Sequence, residues 1–181
     1  MVDVQPAPLA LVVAVVNGWS DRARREAGER GPYPDLEALC AAHGWQAPAP
    51  HDEHLVALAD RLHPVFAEAS ADDRRSALNQ AIRALAPTPQ HAAQGPVWRG
   101  FDTGRRLEAG LLFALAEHAR DDHDLVRLGA CAADRCVDAY LDTSQAATRR
   151  FCSLTCQNRA RVAAFRDRAR GTDRDRSHLI G

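Results

Sequence analysis

Four cysteines near the C-terminus constrain this chain more than anything else in it. Cys131 and Cys136 have four residues between them, fifteen residues follow, and Cys152 and Cys156 have three between them. Two close pairs joined by a short insert are the sequence form of a structural zinc site. Zn²⁺ takes four thiolates tetrahedrally, and short spacings let one loop present two of them. Two disulfides would need an oxidising compartment, and nothing near Met1 reads as an export signal. The spacing is also unlike the familiar iron–sulfur patterns. With four thiolates no coordination position stays open to substrate, so the metal is expected to hold a fold together rather than to catalyse.

The residues around the cysteines predict the module's shape. Residues 137–142 (VDAYLD) suit a short strand, 143–147 a polar turn, and the chain reads as helix from Leu154 onward. A knuckle, a hairpin and a helix carrying the last ligands make a treble-clef-like arrangement. The run RRFCSLTCQNRARVAAFRDRAR (149–170) resembles the CGNR zinc finger, whose Cys-Gly-Asn-Arg signature appears here as Cys156, Gln157, Asn158 and Arg159. LGACAADRC (128–136) and LDTS (141–144) are similar to that family as well. In such proteins the finger usually follows an ABATE domain, a region associated with stress-induced transcription regulation. LALVVAVVN (9–17) resembles the opening of that region, with Ala14 and Val15 where Asp-Phe is usual. The resemblance implies an ABATE-like domain over 1–125, a CGNR-type finger over 126–170 and a flexible tail over 171–181. It also implies a DNA-binding transcription regulator.

Ala and Leu dominate an apolar fraction of 46%, and their intrinsic preference is for helix. The expected fold is therefore mainly α, with one or two short strands in the N-terminal domain and the small finger behind it. Charge is divided unevenly. Residues 149–181 hold nine Arg and three Asp, net +6, while the rest of the chain nets −7. That asymmetry suits a polyanion partner, or an arginine helix folded back on an acidic body. The longest strongly apolar run has eight residues, far below the roughly twenty that span a membrane. No membrane association and a cytoplasmic location are the expectations.

Along the chain, the valines of 9–16 favour a buried strand ended by Asn17-Gly18. Residues 20–31 suit a solvated loop or a frayed helix. A helix is expected over 34–43, with Cys40 packed as a small hydrophobe. Leu55, Leu58, Leu62, Val65, Phe66 and Ala69 form one helical stripe that Pro64 should kink or divide near His63. His51, His54 and His63 read as polar-face residues, since they lack a complete ligand set. Residues 72–85 form the next helix. Pro87, Pro89, Gly95 and Pro96 mark a break, and VWRGF (97–101) is a strand or an aromatic plug. A helix through Leu107, Leu111, Leu112, Leu115 and Ala119 completes the bundle.

No phosphate-cradling glycine loop, nucleophile elbow or His-Glu-x-x-His pair occurs, so the chain does not read as an enzyme. The C-terminal helix carries the stronger signal. Arg149, Arg150, Arg159 and Arg166 are the candidate nucleic-acid contacts, with Arg161, Arg168 and Arg170 extending the basic surface. Arg149, Arg150 and Arg159 also suit a second role, offsetting the net charge of a four-thiolate zinc centre. Val162, Phe165 and Ala169 give this helix an apolar edge to pack on the finger or the body. Asn158 is expected to bond nearby backbone or orient a metal thiolate. DNA is the expected partner, with a homodimer and a small-molecule effector in the N-terminal domain compatible with it. The alternatives are a zinc-stabilised RNA- or protein-interaction module, and an enzyme with its pocket in the helical domain.

Overall fold

The apolar run at 9–16 is a helix and not a strand. A computed structural model describes residues 2–3, 5–46, 52–86, 88–92, 95–100 and 105–177, with side chains at 5–46, 52–86, 105–166 and 168. In it α1 (Leu9–Trp19) buries Leu11, Val12, Val15, Val16 and Trp19 completely. The spacing of those five residues is helical, and other elements cover them on several sides. Burying a Val or Leu stabilises by about 1.5–3 kcal/mol. The helix penalty of a β-branched residue is a few tenths of that, so packing overrides propensity. Asn17-Gly18 does not end the helix. A Cβ at Gly18 would sit 3.1 Å from the Pro34 ring, so this glycine serves close packing rather than a turn.

Of the two readings for 20–31, the structure takes the helical one, a short capped helix α2 (Asp21–Ala27). Ser20 Oγ accepts from Ala23 N at 3.3 Å, and Gly28 ends the helix at φ +73°. Its Arg24 is buried, donating to the carbonyls of Gly18 and Gly31 and lying 4.7 Å over the Tyr33 ring. Next, α3 (Leu36–Ala42) is capped by Asp35 and stops before Gly44, whose φ is +65°. Cys40 is buried on its inner face, and burial pushes its thiol up.

The stripe through Leu55 and Phe66 forms α4 (Asp52–Ala67), undivided at Pro64. Proline removes one hydrogen bond there, close to the end, and its own carbonyl still accepts from Glu68 N at 3.0 Å. His63 departs from the polar-face reading. It is 1% exposed, and its Nε2 lies 2.8 Å from the Val137 carbonyl. His54 is exposed, and His51 lies outside the described residues. Ser70 caps α5 (Ala71–Leu85) through Asp73 N. The proline-marked break holds a hairpin of β2 (Thr88–Ala92) and β3 (Gly95–Gly100). With β1 (Val2–Asp3) they form an antiparallel sheet in the order β1-β3-β2. Of the two readings for 97–101, the backbone is strand through Gly100, and Phe101 lies outside the described residues. Then α6 (Arg106–Asp121) buries every residue from Ala109 to Leu115, along with Leu107.

Helices α1, α4, α5 and α6 close around one apolar core, and that core extends into the cysteine-bearing region. Leu125, Leu128 and Ala139 belong to the same buried cluster as Leu11, Leu62 and Leu112. Three polar side chains fasten the joint. Asn17 accepts from Ala139 N at 2.7 Å and donates to Ala139 O at 3.0 Å, pairing with the segment as a neighbouring strand would. Arg74 donates to the carbonyls of Leu125 and Leu128 at 2.7 and 2.8 Å. His63 supplies the third tie, at Val137.

His63 gives a pH prediction. Burial lowers its pKa from the ordinary 6.5, and the nearby Arg22 charge acts in the same direction. The Val137 carbonyl and the carboxylates of Asp60 and Asp138 oppose these effects without reversing them. Its Nδ1 is buried with no partner among the described residues, so a proton added there would have no acceptor. The unfolded chain therefore binds a proton that the folded chain refuses. This residue's stabilisation is complete above pH 6.5 and is lost as pH falls through its lowered folded value. Between about pH 6.5 and that value, the native protein should lose up to about 1.4 kcal/mol per pH unit more than His63→Gln does. Urea unfolding of both proteins at several pH values measures this. Parallel pH curves would overturn it. Loss of thiolates at low pH is common to both proteins and cancels in the difference.

Candidate metal centre

The centre is built from a hairpin and the start of a long helix. β4 (Leu128–Ala130) pairs antiparallel with β5 (Ala139–Leu141), and α7 runs from Leu154 to Ser177. Between the strands the chain turns tightly. Cys131 N donates to Asp138 O at 2.8 Å and Cys136 N to Ala133 O at 3.2 Å, with Arg135 at φ +58°. This knuckle sets Cys131 and Cys136 side by side. Ser153 caps α7 by accepting from Cys156 N at 3.2 Å, which fixes the first helical turn. Cys152 stands just before that turn and Cys156 within it.

All four sulfurs lie within 4.8 Å of one another. Cys152 Sγ is 3.7 Å from Cys136 Sγ and 3.6 Å from Cys156 Sγ. A tetrahedron with Zn–S bonds of about 2.3 Å has edges of about 3.8 Å, so the spacing fits one zinc ion. Cys131, Cys136 and Cys156 are buried and Cys152 half-buried. Burial and neighbouring sulfurs push the Cys152 thiol up to about 12. Cys136 is pushed up as well, chiefly by burial, with the Asp138 carboxylate and Cys131 adding to it and a bond to the Asp138 backbone opposing. At Cys156 burial raises the thiol, but hydrogen bonds from Ser153 and the other sulfurs outweigh it and leave the pKa lowered. A metal must displace the protons that such crowding retains, so affinity falls as pH falls.

The fold around the sulfurs is fastened by residues of the hairpin and its loop. Asp142, 2% exposed, accepts from the backbone N–H groups of Ser144 and Arg149 at 2.8 and 2.7 Å. The Ser144 hydroxyl foremost, then the Arg149 and Ser144 N–H groups, hold its carboxyl below the ordinary value against the effect of burial. Tyr140 donates its hydroxyl to the Arg149 carbonyl at 2.5 Å, and its ring lies against Gly129 on β4. A Cβ at Gly129 would come 2.5 Å from ring atoms, so only glycine admits the tyrosine there.

Residues 127–169 match the family model of the CGNR zinc finger. The match takes in all four cysteines, the hairpin and the first turns of α7, and it covers the finger alone. No curated protein matches the chain. The CGNR-like finger thus has a four-cysteine site positioned to bind one structural zinc ion.

The candidate polar residues of the finger fall into different places. Arg149 is committed to the finger itself. Its guanidinium donates to the carbonyls of Phe151 at 2.8 Å, Leu141 at 3.3 Å and Cys152, and lies 5.1 Å from the Tyr140 ring centre. Its side chain is nonetheless exposed, like those of the other candidate contacts. Arg150 and Arg166 are exposed, and so is Arg159, which reaches the Asp134 carbonyl at 3.5 Å. Asn158 is exposed and makes no side-chain hydrogen bond among the described residues. Cys152 Sγ lies instead beside Ser153 Oγ and 3.5 Å from the Asp138 carboxylate. Ser153 carried a readable signal, a serine directly before a helix. Asp138 and Tyr140 had none.

Among the described residues, helix α7 is not packed on the acidic body. Arg159, Arg161, Arg166 and Arg168 are all exposed. Its apolar edge is unpacked too, with Leu154 76%, Val162 48% and Phe165 67% exposed, while the side chain of Ala169 lies outside the described residues. The helix extends to Ser177, into the stretch expected to be a flexible tail, and residues 178–181 lie outside the described residues. No helix among the described residues is long and apolar enough to cross a membrane.

Proposed function

We propose that this chain is a cytoplasmic DNA-binding transcription regulator, in which the zinc finger presents α7 to the phosphate backbone. The observation that carries the reading is the exposure of Arg159, Arg161, Arg166 and Arg168 on a helix that leaves the body. Zinc and the ties from Asn17, His63 and Arg74 hold the root of that helix firmly, so the arginines project from a rigid base. Residues 1–125 serve in this reading as an ABATE-like regulatory body that dimerises or holds a small effector. A single small module buries only about 600–1,000 Å² on DNA, which makes pairing of two copies useful for specificity. The protein acts by binding and not by catalysis.

The test is binding of the zinc-loaded protein to labelled DNA over a series of salt concentrations. Each neutralised phosphate contributes a slope of about −0.9 in log K against log salt. Changing both Arg159 and Arg166 to Ala should flatten the slope by about 2 and weaken binding at least about tenfold near physiological salt. Both residues are exposed, so zinc content and the unfolding curve should stay unchanged. Absence of binding at low salt with zinc fully loaded would sink the regulator reading.

A further inference from the structure

We propose that the cleft between the 142–150 loop and the first turn of α7 takes an unstacked base of single-stranded DNA, and that Phe165 stacks a second base farther along the helix. The inference rests on the DNA-binding reading above and specifies its substrate. The cleft has a volume of about 610 Å³, the size of a small-molecule site. Phe151 and Leu154 give it apolar wall, Thr143, Thr148 and Gln157 give it hydrogen-bonding groups, and Arg150 stands among its lining residues. Arg150 is exposed, and its guanidinium makes no hydrogen bond or ion pair among the described residues. The acid in the lining, Asp142, already has its oxygens on the Ser144 and Arg149 N–H groups. An apolar wall beside donors, acceptors and a free guanidinium is the chemistry that holds a base with its phosphate.

The cleft continues onto α7. Leu154 and Phe165 are eleven residues apart, three helical turns, so they share one face about 16 Å apart. Val162 lies beside them on that face. Arg161 and Arg168 flank it on one side, Arg159 and Arg166 on the other. A second copy of α7 laid on this face would bring like charges together, which argues against self-pairing. A polyanion relieves them, and an exposed aromatic between guanidinium groups is the usual platform for unpaired bases. Paired bases stay in their stack and cannot enter a concave cleft without being flipped out, whereas unpaired ones can.

The experiment uses the full zinc-loaded chain with fluorescein-labelled oligothymidylate, the same strand annealed to its complement, a free mononucleotide and anionic vesicles. The expected result is tighter binding to the single strand than to the duplex. Phe165→Ala should weaken single-strand binding about tenfold, with Phe165→Tyr restoring it and Phe165→Leu not. Leu154→Glu should weaken it comparably by placing an acid at the cleft, while an acid in the first turn of a helix leaves folding intact. Equal or tighter duplex binding, unaffected by Phe165→Ala, would overturn the single-strand assignment and leave the DNA-binding reading standing. No binding to either DNA would remove both. A mononucleotide that competes as well as the strand would reassign the cleft to a free nucleotide. Retention on vesicles without DNA binding would assign the α7 face to a lipid surface and overturn the proposal.

Discussion

Stripping zinc from this protein, or changing Cys136 to Ser, should unfold the finger and take much of the helical body's stability with it. Four sulfurs converge within 4.8 Å, and without a cation they must either hold protons in a buried polar cluster or repel one another as thiolates. Structural zinc in small fingers binds with about 10–16 kcal/mol at neutral pH, comparable to the roughly 5–15 kcal/mol net stability of a whole domain. The loss should not stay local. Leu128 and Ala139 are buried in the same core as α1 and α4, so a hairpin released from the metal uncovers Leu11, Leu62 and their neighbours. One zinc per chain by elemental analysis, and one cooperative melt that chelator lowers sharply, are the expected results. Cys40→Ala is the control, because Cys40 lies on α3 and should not alter the zinc content. A Cys136→Ser protein that retains a full zinc equivalent and the native melt would contradict the four-thiolate site.

Replacing Arg74 with Met should cost about 2–4 kcal/mol. One guanidinium nitrogen serves the Leu125 and Leu128 carbonyls, while Nε serves the Glu68 carbonyl at 2.7 Å. Leu125 is held at φ +51°, in the bend that leads from α6 into β4. Methionine keeps most of the packing volume and leaves those carbonyls without their charged donor. Arg74→Lys should recover only part of the loss, since an ammonium lacks the planar fork that reaches several acceptors at once. The neighbouring Arg75 pairs with Asp72 and Asp124 at the surface, and Arg75→Met should change stability little. Urea unfolding of the three variants compares them. An Arg74→Met midpoint equal to that of Arg75→Met would show that water replaces the lost bonds at no cost.

Together these results would separate what stabilises the finger from what the finger presents. The metal and the Arg74 tie act on the root of α7, while Arg159, Arg166 and Phe165 are exposed beyond it. Changes in the first group should lower stability and DNA binding together. Changes in the second should lower binding alone.

The metal centre was legible in the sequence because its determinants are local. Spacings of four and three residues dictate which sulfurs a turn can bring together, and a helix starting at Leu154 follows from its own residues. The amphipathic helices were legible for the same reason, since the period of Leu55, Leu58 and Leu62 is a property of the segment. What the tertiary structure decided was every matter that depends on a distant neighbour. The valines of α1 form a helix because other elements surround them, which no local preference encodes. His63 is buried because the cysteine-bearing hairpin, more than seventy residues later, lays the Val137 carbonyl over it. Arg149, though exposed, lays its guanidinium on the carbonyls of Leu141, Phe151 and Cys152, while Arg159 reaches only that of Asp134, though both are the same residue type in one basic run. Charge and periodicity are written residue by residue, but whether a side chain meets water or a carbonyl is settled only when the chain has packed.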